Sequence, residues 1–435
     1  MNSRSLWSPR VRTIAIGLLL ALVFAALVTV AQAQTYAVIH NFSGGGDGGN
    51  PHVGLTMDAA GNFYGTTYNG GNQTCSGGCG IVFRLARSGS SWVLNPIYSF
   101  AGGRDGAHPY SRVAIARDGT LYGTTYQGGT GCAGAGCGTV FHLPPSPTAP
   151  RTALASWNEE VLYRFTGEED GANPQGDLAL DQAGNIYGTT LLGGSTSCSY
   201  GGCGVIYELR PSGRAWTQTV LYSPQLDSSG YTPTGGVILD RSGNLYGVFG
   251  AGGQYLSGAV YELSPPGSNW TEQTIYLFTS SYDGGRPVGG LIFDSTGNLY
   301  GTTTSGGDPV NENGTAFELS PVNGGWNFNA FYLFCCFTEV DPADKLLIDS
   351  AGNLYGTTVS NGNYNDGTVY KLSYSTAGWT STNLPNFDGS DGSGPMSIVV
   401  SDANGNFYGT ATWGGTSGTG CSGGFGCGVI WEITQ

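Results

Sequence analysis

The sequence predicts an all-β fold, a seven-bladed β-propeller of four-stranded antiparallel blades, and three observations predict it. A turn motif close to Gly-Asn-(Leu/Phe/Ile)-Tyr-Gly recurs seven times, centred on Tyr64, Tyr122, Tyr187, Tyr246, Tyr300, Tyr355 and Tyr408. The steps between those tyrosines are 58, 65, 59, 54, 55 and 53 residues, the length of one supersecondary unit. The chain also begins and ends with parts of a unit, which a ring needs in order to close.

Other residues keep register with the motif. A proline stands ten positions before each turn glycine, at Pro51, Pro109, Pro174, Pro233, Pro287, Pro342 and Pro395. Six copies carry a tryptophan, Trp92, Trp157, Trp216, Trp270, Trp326 and Trp379, eight positions before Phe100, Phe165, Pro224, Phe278, Phe334 and Phe387. Fixed offsets over such distances mean fixed strand pairing. Each tryptophan is expected to pack a blade interface, where complete burial would contribute up to about 5 kcal/mol before entropy.

Each copy divides into four short apolar runs, in the first copy Val53–Met57, Phe63–Thr67, Ile81–Leu85 and Trp92–Phe100. The first turn, Asp58-Ala59-Ala60-Gly61-Asn62, has an aspartate to bond nearby N–H groups and a glycine to supply positive φ. The second copy departs, with Ala116 at the aspartate position and Asp118-Gly119-Thr120 following. The last copy ends on a third strand, Gly428–Ile433, and Tyr36–Phe42 reads like a fourth strand. The N-terminal strand should therefore complete the last blade and remove an aggregation-prone edge.

Residues 1–33 read as an export signal: Arg4, Arg10 and Arg12, an apolar run from Ile14 to Val30, then Ala31-Gln32-Ala33 as cleavage site. An uncleaved membrane anchor is the rival reading, since the run just reaches spanning length. Residues 34–435 are then a single propeller domain, secreted or periplasmic, and expected to be a monomer. That domain keeps 30 acids against 13 bases, a balance that excludes nucleic acid as a partner.

In an up-and-down sheet, the loops from strand two to three and from strand four to the next strand one leave from the same face. These are the long loops, and long loops on a rigid scaffold carry binding surfaces. Eight cysteines lie within single two-to-three loops, pairing Cys75 with Cys79, Cys132 with Cys137, Cys198 with Cys203 and Cys421 with Cys427. Disulfides are the reading for an exported chain, with zinc as the alternative. Their copies, the seventh and the first three, are contiguous once the ring closes, so this side should border the binding surface. Cys335 and Cys336 are open to a vicinal disulfide or two thiols.

Asp47, Asp105, Asp170, Asp283 and Asp391 either organise their own turns or form a carboxylate ring that Ca²⁺ could occupy, with Ser229 and Thr338 in the other copies. Beyond that ion no cofactor is expected. After each proline the copies stop agreeing, and His52, Tyr110, Arg112, Gln175, Asp177, Asp344 and Lys345 are the candidate binding residues at the channel mouth. Arg112 and Asp177 could equally neutralise each other in a water-filled channel. No catalytic signature is present, and Glu168-Glu169-Asp170 reads as a solvated loop.

The run Asp349–Thr358, Asp-x-x-Gly-Asn-Leu-Tyr-Gly-Thr-Thr, with Gly367–Leu372, Gly-Thr-Val-Tyr-Lys-Leu, resembles the bacterial GloVer tandem-repeat family. The resemblance covers residues 35–435 and implies an exported bacterial propeller, often with a C-terminal anchor; it brings no established activity. Since the sequence ends at Gln435 within a strand, no such anchor is expected here. Two functions follow: a binding module for an extracellular glycan or protein, or a glycoside hydrolase or lyase at the channel mouth.

Overall fold

The turn aspartate of each motif fixes the tightest unit of the chain. In the computed structural model, which describes residues 34–145, 157–199, 201–227, 229–265, 270–308, 310, 312–335, 340–342, 344–416, 421 and 425–435, Asp58 Oδ1 accepts from the Ala60 and Asn62 N–H groups. Its Oδ2 accepts from Asn62 Nδ2 and the Tyr64 hydroxyl. Gly61 supplies φ of 79° with open space around it. The second copy, lacking the aspartate, closes the same turn through Ala116 and Thr120 with Asp118 bonding the Thr120 N–H. The predicted signal at residues 1–33, together with Cys336 and Thr338, lies outside the described residues.

Seven separate antiparallel sheets follow, one per copy, so the molecule is a seven-bladed β-propeller. Blade 1 consists of Thr56–Met57, Phe63–Thr67, Ile81–Ser88 and Ser91–Ser99. Blade 7 combines Val400–Ser401, Phe407–Ala411 and Val429–Thr434 with the N-terminal strand Thr35–Asn41. Tyr36 pairs with Ile433 and Val38 with Trp431, in the closure that the sequence predicts.

A steric rule repeats in every blade. The glycine after each motif tyrosine lies under an aromatic ring of the neighbouring third strand: Gly65 under Phe83, Gly123 under Phe141, Gly188 under Tyr207, Gly247 under Tyr261, Gly301 under Phe317, Gly356 under Tyr370 and Gly409 under Trp431. A Cβ at any of these positions would meet ring atoms well inside contact distance. The same rings receive the strand-end phenylalanine of the preceding blade, as in Phe42–Phe83, Phe100–Phe141 and Phe387–Trp431. Blade 3 ends in Pro224, and the compensation comes from blade 4: Phe249, where five other copies have threonine and the last has Ala411, stacks 4.3 Å from Tyr261 and meets Tyr222.

The motif tyrosine and the repeated tryptophan meet between blades, as Tyr64–Trp157, Tyr122–Trp216, Tyr187–Trp270, Tyr246–Trp326 and Tyr408–Trp92. These tryptophans are packing residues, but only half-buried at the rim. The burial expected of them is supplied instead by the fully buried phenylalanines.

The innermost strands are shorter than expected, pairing over two residues in most blades. Ahead of that pairing, carbonyls of the post-proline segment are claimed by threonines of the previous blade. Thr66 bonds Ser111 O, Thr357 bonds Ser397 O and Thr410 bonds Val53 O. Interblade hydroxyls thus replace a ladder, satisfying buried backbone groups.

Deleting residues 34–42 should strip the last blade of its outer strand and empty the place of Phe42, which is fully buried. A loss of about 3 kcal/mol or more is expected from the phenylalanine alone. Thermal unfolding checks this: an unchanged melting temperature would contradict strand closure.

Candidate functional site

Three residues after each proline, one register position supplies one residue per blade to the axis: Gly54, Arg112, Asp177, Gly236, Gly290, Lys345 and Ile398. The large members occupy the space the glycines leave. Lys345 lies across Gly290, Ile398 against Gly54, and Gly236 against the Asp177 backbone. Asp177 Oδ2 accepts from Arg112 Nη2 at 2.7 Å, from Arg112 Nε at 3.0 Å and from Lys345 Nζ at 3.0 Å. Asp177 belongs to blade 3 and Lys345 to blade 6, on opposite sides of a seven-membered ring. The ion pair therefore crosses the axis and plugs it.

Burial alone would raise the Asp177 carboxyl, but the charges of Arg112 and Lys345 and their hydrogen bonds hold it well below the carboxylate range. Asp344 stands one residue before Lys345 and accepts that residue's N–H at 2.7 Å. Burial, with the charge of Asp177 added, pushes its carboxyl up to about 6. The two carboxyls are thus pushed in opposite directions, and Asp344 takes up its proton well before Asp177 as the pH falls. The layer keeps some contact with solvent, since Arg112 and Asp177 retain 21% and 16% of their side-chain exposure.

His52 and Tyr110, both directly after a proline, form a second group. Their rings stack at 4.9 Å, and Tyr68 meets them edge-on at 5.1 and 5.9 Å. Tyr126 adds to Tyr110 at 5.8 Å, and His108 stacks on Tyr68 at 4.4 Å while its Nδ1 bonds the Tyr68 carbonyl. Burial pushes His52 down to about 4 and lowers His108 as well, so both rings are uncharged at neutral pH. Gln175 shares the register of His52 and Tyr110 one blade further on and is half-buried.

The four predicted disulfides all form, and Cys335 is also disulfide-bonded. Three of the clips present a carbonyl to the next blade. Cys427 O, Cys79 O and Cys137 O accept the N–H of Asn50, His108 and Asn173, the residues before the prolines of the next blades. Those three residues hold left-handed φ values of 52°, 55° and 53°, a costly conformation for a side-chain-bearing residue. A clipped acceptor holds these three blade entries in that bend, and Arg286, at φ 53°, takes the same bend on the unclipped Ser257 O.

The carboxylates of the long loops turn onto their own loops. Asp105 accepts from Tyr98 and Ala101, Asp170 from Tyr163 and Thr166, and Asp283 from Tyr276 and Thr279. They are turn organisers rather than a converging set. Among the described residues no group of three or more histidine, cysteine or acidic side chains gathers as a metal would need.

A model described as the Gloeobacter/Verrucomicrobia repeat matches residues 25–201, 155–272 and 195–422. The chain belongs to the Gloeobacter/Verrucomicrobia repeat family. No curated protein matches the sequence. Among solved structures, the fold is similar to the extracellular domain of a candidate hybrid two-component system from B. thetaiotaomicron, at 12% identity and a TM-score of 0.53, over 91% of this chain and 39% of that one. It is also similar to a Lactobacillus plantarum protein, at 14% identity and 0.52 over 80% and 88%. A candidate 6-phosphogluconolactonase from Bacteroides uniformis reaches 13% and 0.50 over 78% and 86%. At such identities the likeness is one of fold.

In this Gloeobacter/Verrucomicrobia repeat protein, the structure brings Arg112, Asp177, Asp344 and Lys345 together, and His52 with Tyr110. Tyr68, Tyr126 and His108 escaped the sequence reading. The first two follow Gly-Thr-Thr, where other copies have Leu191, Gly250, Thr304, Val359 and Thr412. Comparing that column would have exposed them.

His52 gives a pH prediction. Its folded value of about 4 lies below an unfolded value near 6.5, so the unfolded chain binds the extra proton between them and stability rises with pH across that window. His52→Gln should therefore gain roughly 2 kcal/mol relative to wild type on moving from pH 7 to pH 4.5. Denaturant melts at the two pH values measure it; a constant difference would contradict a neutral, buried His52.

Proposed function

We propose that the protein is an exported propeller acting as a binding module, with a glycan or protein ligand docking on the long-loop face. Export is supported by the four disulfides, which form and persist in oxidising compartments. The observation that carries the reading is the distribution of exposed apolar residues. Of the ten large ones among the described residues, Leu226, Tyr255, Leu256, Tyr282, Val310, Tyr364 and Phe425 lie on long loops. Such concentration on one face marks an interaction surface. Their blades are the third to the seventh, so the surface extends well beyond the clipped side.

A second reading, a glycoside hydrolase or lyase at the axis, is favoured by Asp344 and Asp177. One buried carboxyl is pushed up to about 6 and the other is held ionised by two cations, the division of states that acid–base cleavage uses. The plugged axis weighs against it, because a sugar would have to displace the Arg112–Asp177–Lys345 bridge.

The two readings separate in one experiment. The mature protein is tested against polysaccharides and envelope proteins for retention and for released reducing ends. Retention that falls when Tyr364 and Phe425 are changed to serine, with no product formed, is the expected result. Turnover abolished by Asp344→Ala would overturn the binding-only reading.

A further inference from the structure

Many tyrosine hydroxyls among the described residues are hydrogen-bonded at fixed places in the repeat. Six of the seven motif tyrosines bond the turn aspartates or third-strand glutamates, as Tyr187 bonds Asp181 and Glu208. Outer-strand tyrosines bond the loop aspartates, as Tyr98 bonds Asp105 and Tyr276 bonds Asp283. Among the described residues the hydroxyls of Tyr68, Tyr110 and Tyr126 have no hydrogen-bond partner; those of Tyr207 and Tyr261 are unpaired too, but these residues are sealed inside the blades, whereas the three are half-buried. His52 Nδ1, in the same cluster, is buried without one as well.

The cluster stands apart from the repeated aromatics of the blade interfaces. Its rings are assembled from two registers, directly after the proline and directly after Gly-Thr-Thr, on blades 1 and 2 only. Tyr68, Tyr110, Tyr126 and His52 stay half-buried, and each touches the next through ring contacts. Beneath them, the Cys75–Cys79 clip holds the His108 N–H through Cys79 O. The scaffold for these rings is therefore rigid.

The electrostatics narrow the ligand. The shifts of His52, His108, Tyr68 and Tyr110 arise from burial and from one another, with no carboxylate among their causes. An aromatic cage for a cationic headgroup gains from a nearby negative charge, and here none acts. Anionic polymers meet a protein of net charge −14 and are repelled. What remains complementary is a ring with apolar C–H faces and neutral hydroxyls at its rim. Faces stack on tyrosine, and rim hydroxyls meet the uncommitted phenols.

Resting on the long-loop-face binding reading, we infer that His52, Tyr68, Tyr110 and Tyr126 form a subsite for the pyranose rings of a neutral polysaccharide. Tyr68 and Tyr126 supply stacking faces at the two ends of the cluster. Tyr110 and His52 bridge them, and the Tyr110 hydroxyl is the polar atom between.

Affinity electrophoresis of the full mature protein through gels containing xyloglucan, mixed-linkage β-glucan, glucomannan or dextran tests this, with alginate and polygalacturonate as anionic gels. At least one neutral polymer should retard the protein and the anionic ones should not. Tyr68→Ala and Tyr126→Ala should each weaken retardation about tenfold or more, equal to about 1.4 kcal/mol, and Tyr68→Phe should retain the larger part. Tyr374→Ala, at an exposed tyrosine near the opposite face, is the control and should match wild type. Melting temperatures of all variants show whether the fold is intact; for a variant that fails to fold, protection of Tyr126 from tyrosine-selective labelling by the polymer replaces it. The inference is overturned if no neutral polymer retards the protein, if anionic polymers do so instead, or if folded Tyr68→Ala and Tyr126→Ala bind like wild type. Capture of a protein ligand dependent on Tyr364 and Phe425 but indifferent to the cluster would sink the subsite and leave the binding-module reading standing.

Discussion

Each blade depends on one contact: an aromatic side chain of the third strand laid across a glycine of the second. Seven glycines, from Gly65 to Gly409, sit under seven rings, from Phe83 to Trp431. The ring displaced toward that glycine is the same ring against which the preceding blade sets its terminal phenylalanine. The contact thus sets both the spacing inside a sheet and the spacing between sheets. At protein packing densities a gap or a clash of one methyl group is felt. Blade 3 shows the rule by its exception, because Pro224 cannot fill the site and Phe249 reaches in from the adjoining strand.

With the blades so fixed, the two edges of the ring are free to differ. The short-turn side is built from one closed unit of aspartate, asparagine and tyrosine repeated almost unchanged. On the long-loop side, clips hold carbonyls that receive the next blade's left-handed residue, and the loops beyond those anchors vary without disturbing the scaffold. Toward the axis, glycines bring backbones together in blades 4 and 5, while Arg112, Asp177 and Lys345 fill the remainder. A salt bridge across the axis costs desolvation of both charges, and it persists because Asp177 collects donors from two cations at once.

The ring, its blade number, the closing strand and the cysteine pairs were legible because each is written at a constant offset from the motif. The glycine under the ring was visible only as an invariant letter, since its partner lies 14 to 22 positions on, in another strand. Arg112, Asp177 and Lys345 stood out as polar departures, but their meeting across the axis is a property of a closed ring of seven. The aromatic cluster was half read: His52 and Tyr110 share the post-proline register, whereas Tyr68 and Tyr126 come from a different strand. The apolar loop tips of blades 3 to 7 were missed because isolated apolar residues in Gly-rich loops give no periodic signal.

The central claim is that the third-strand ring, rather than backbone conformation, forbids a side chain at the motif glycine. Gly356 and Tyr370 provide the direct measurement, because the three nearest neighbours of a Cβ at Gly356 all belong to the Tyr370 side chain. A double-mutant cycle of Gly356→Ala and Tyr370→Leu, read by equilibrium denaturation, should show the alanine to be strongly destabilising with the ring present and much less so without it. A favourable coupling of about 1 kcal/mol or more is the expected result; losses that add within about 0.5 kcal/mol would contradict the account.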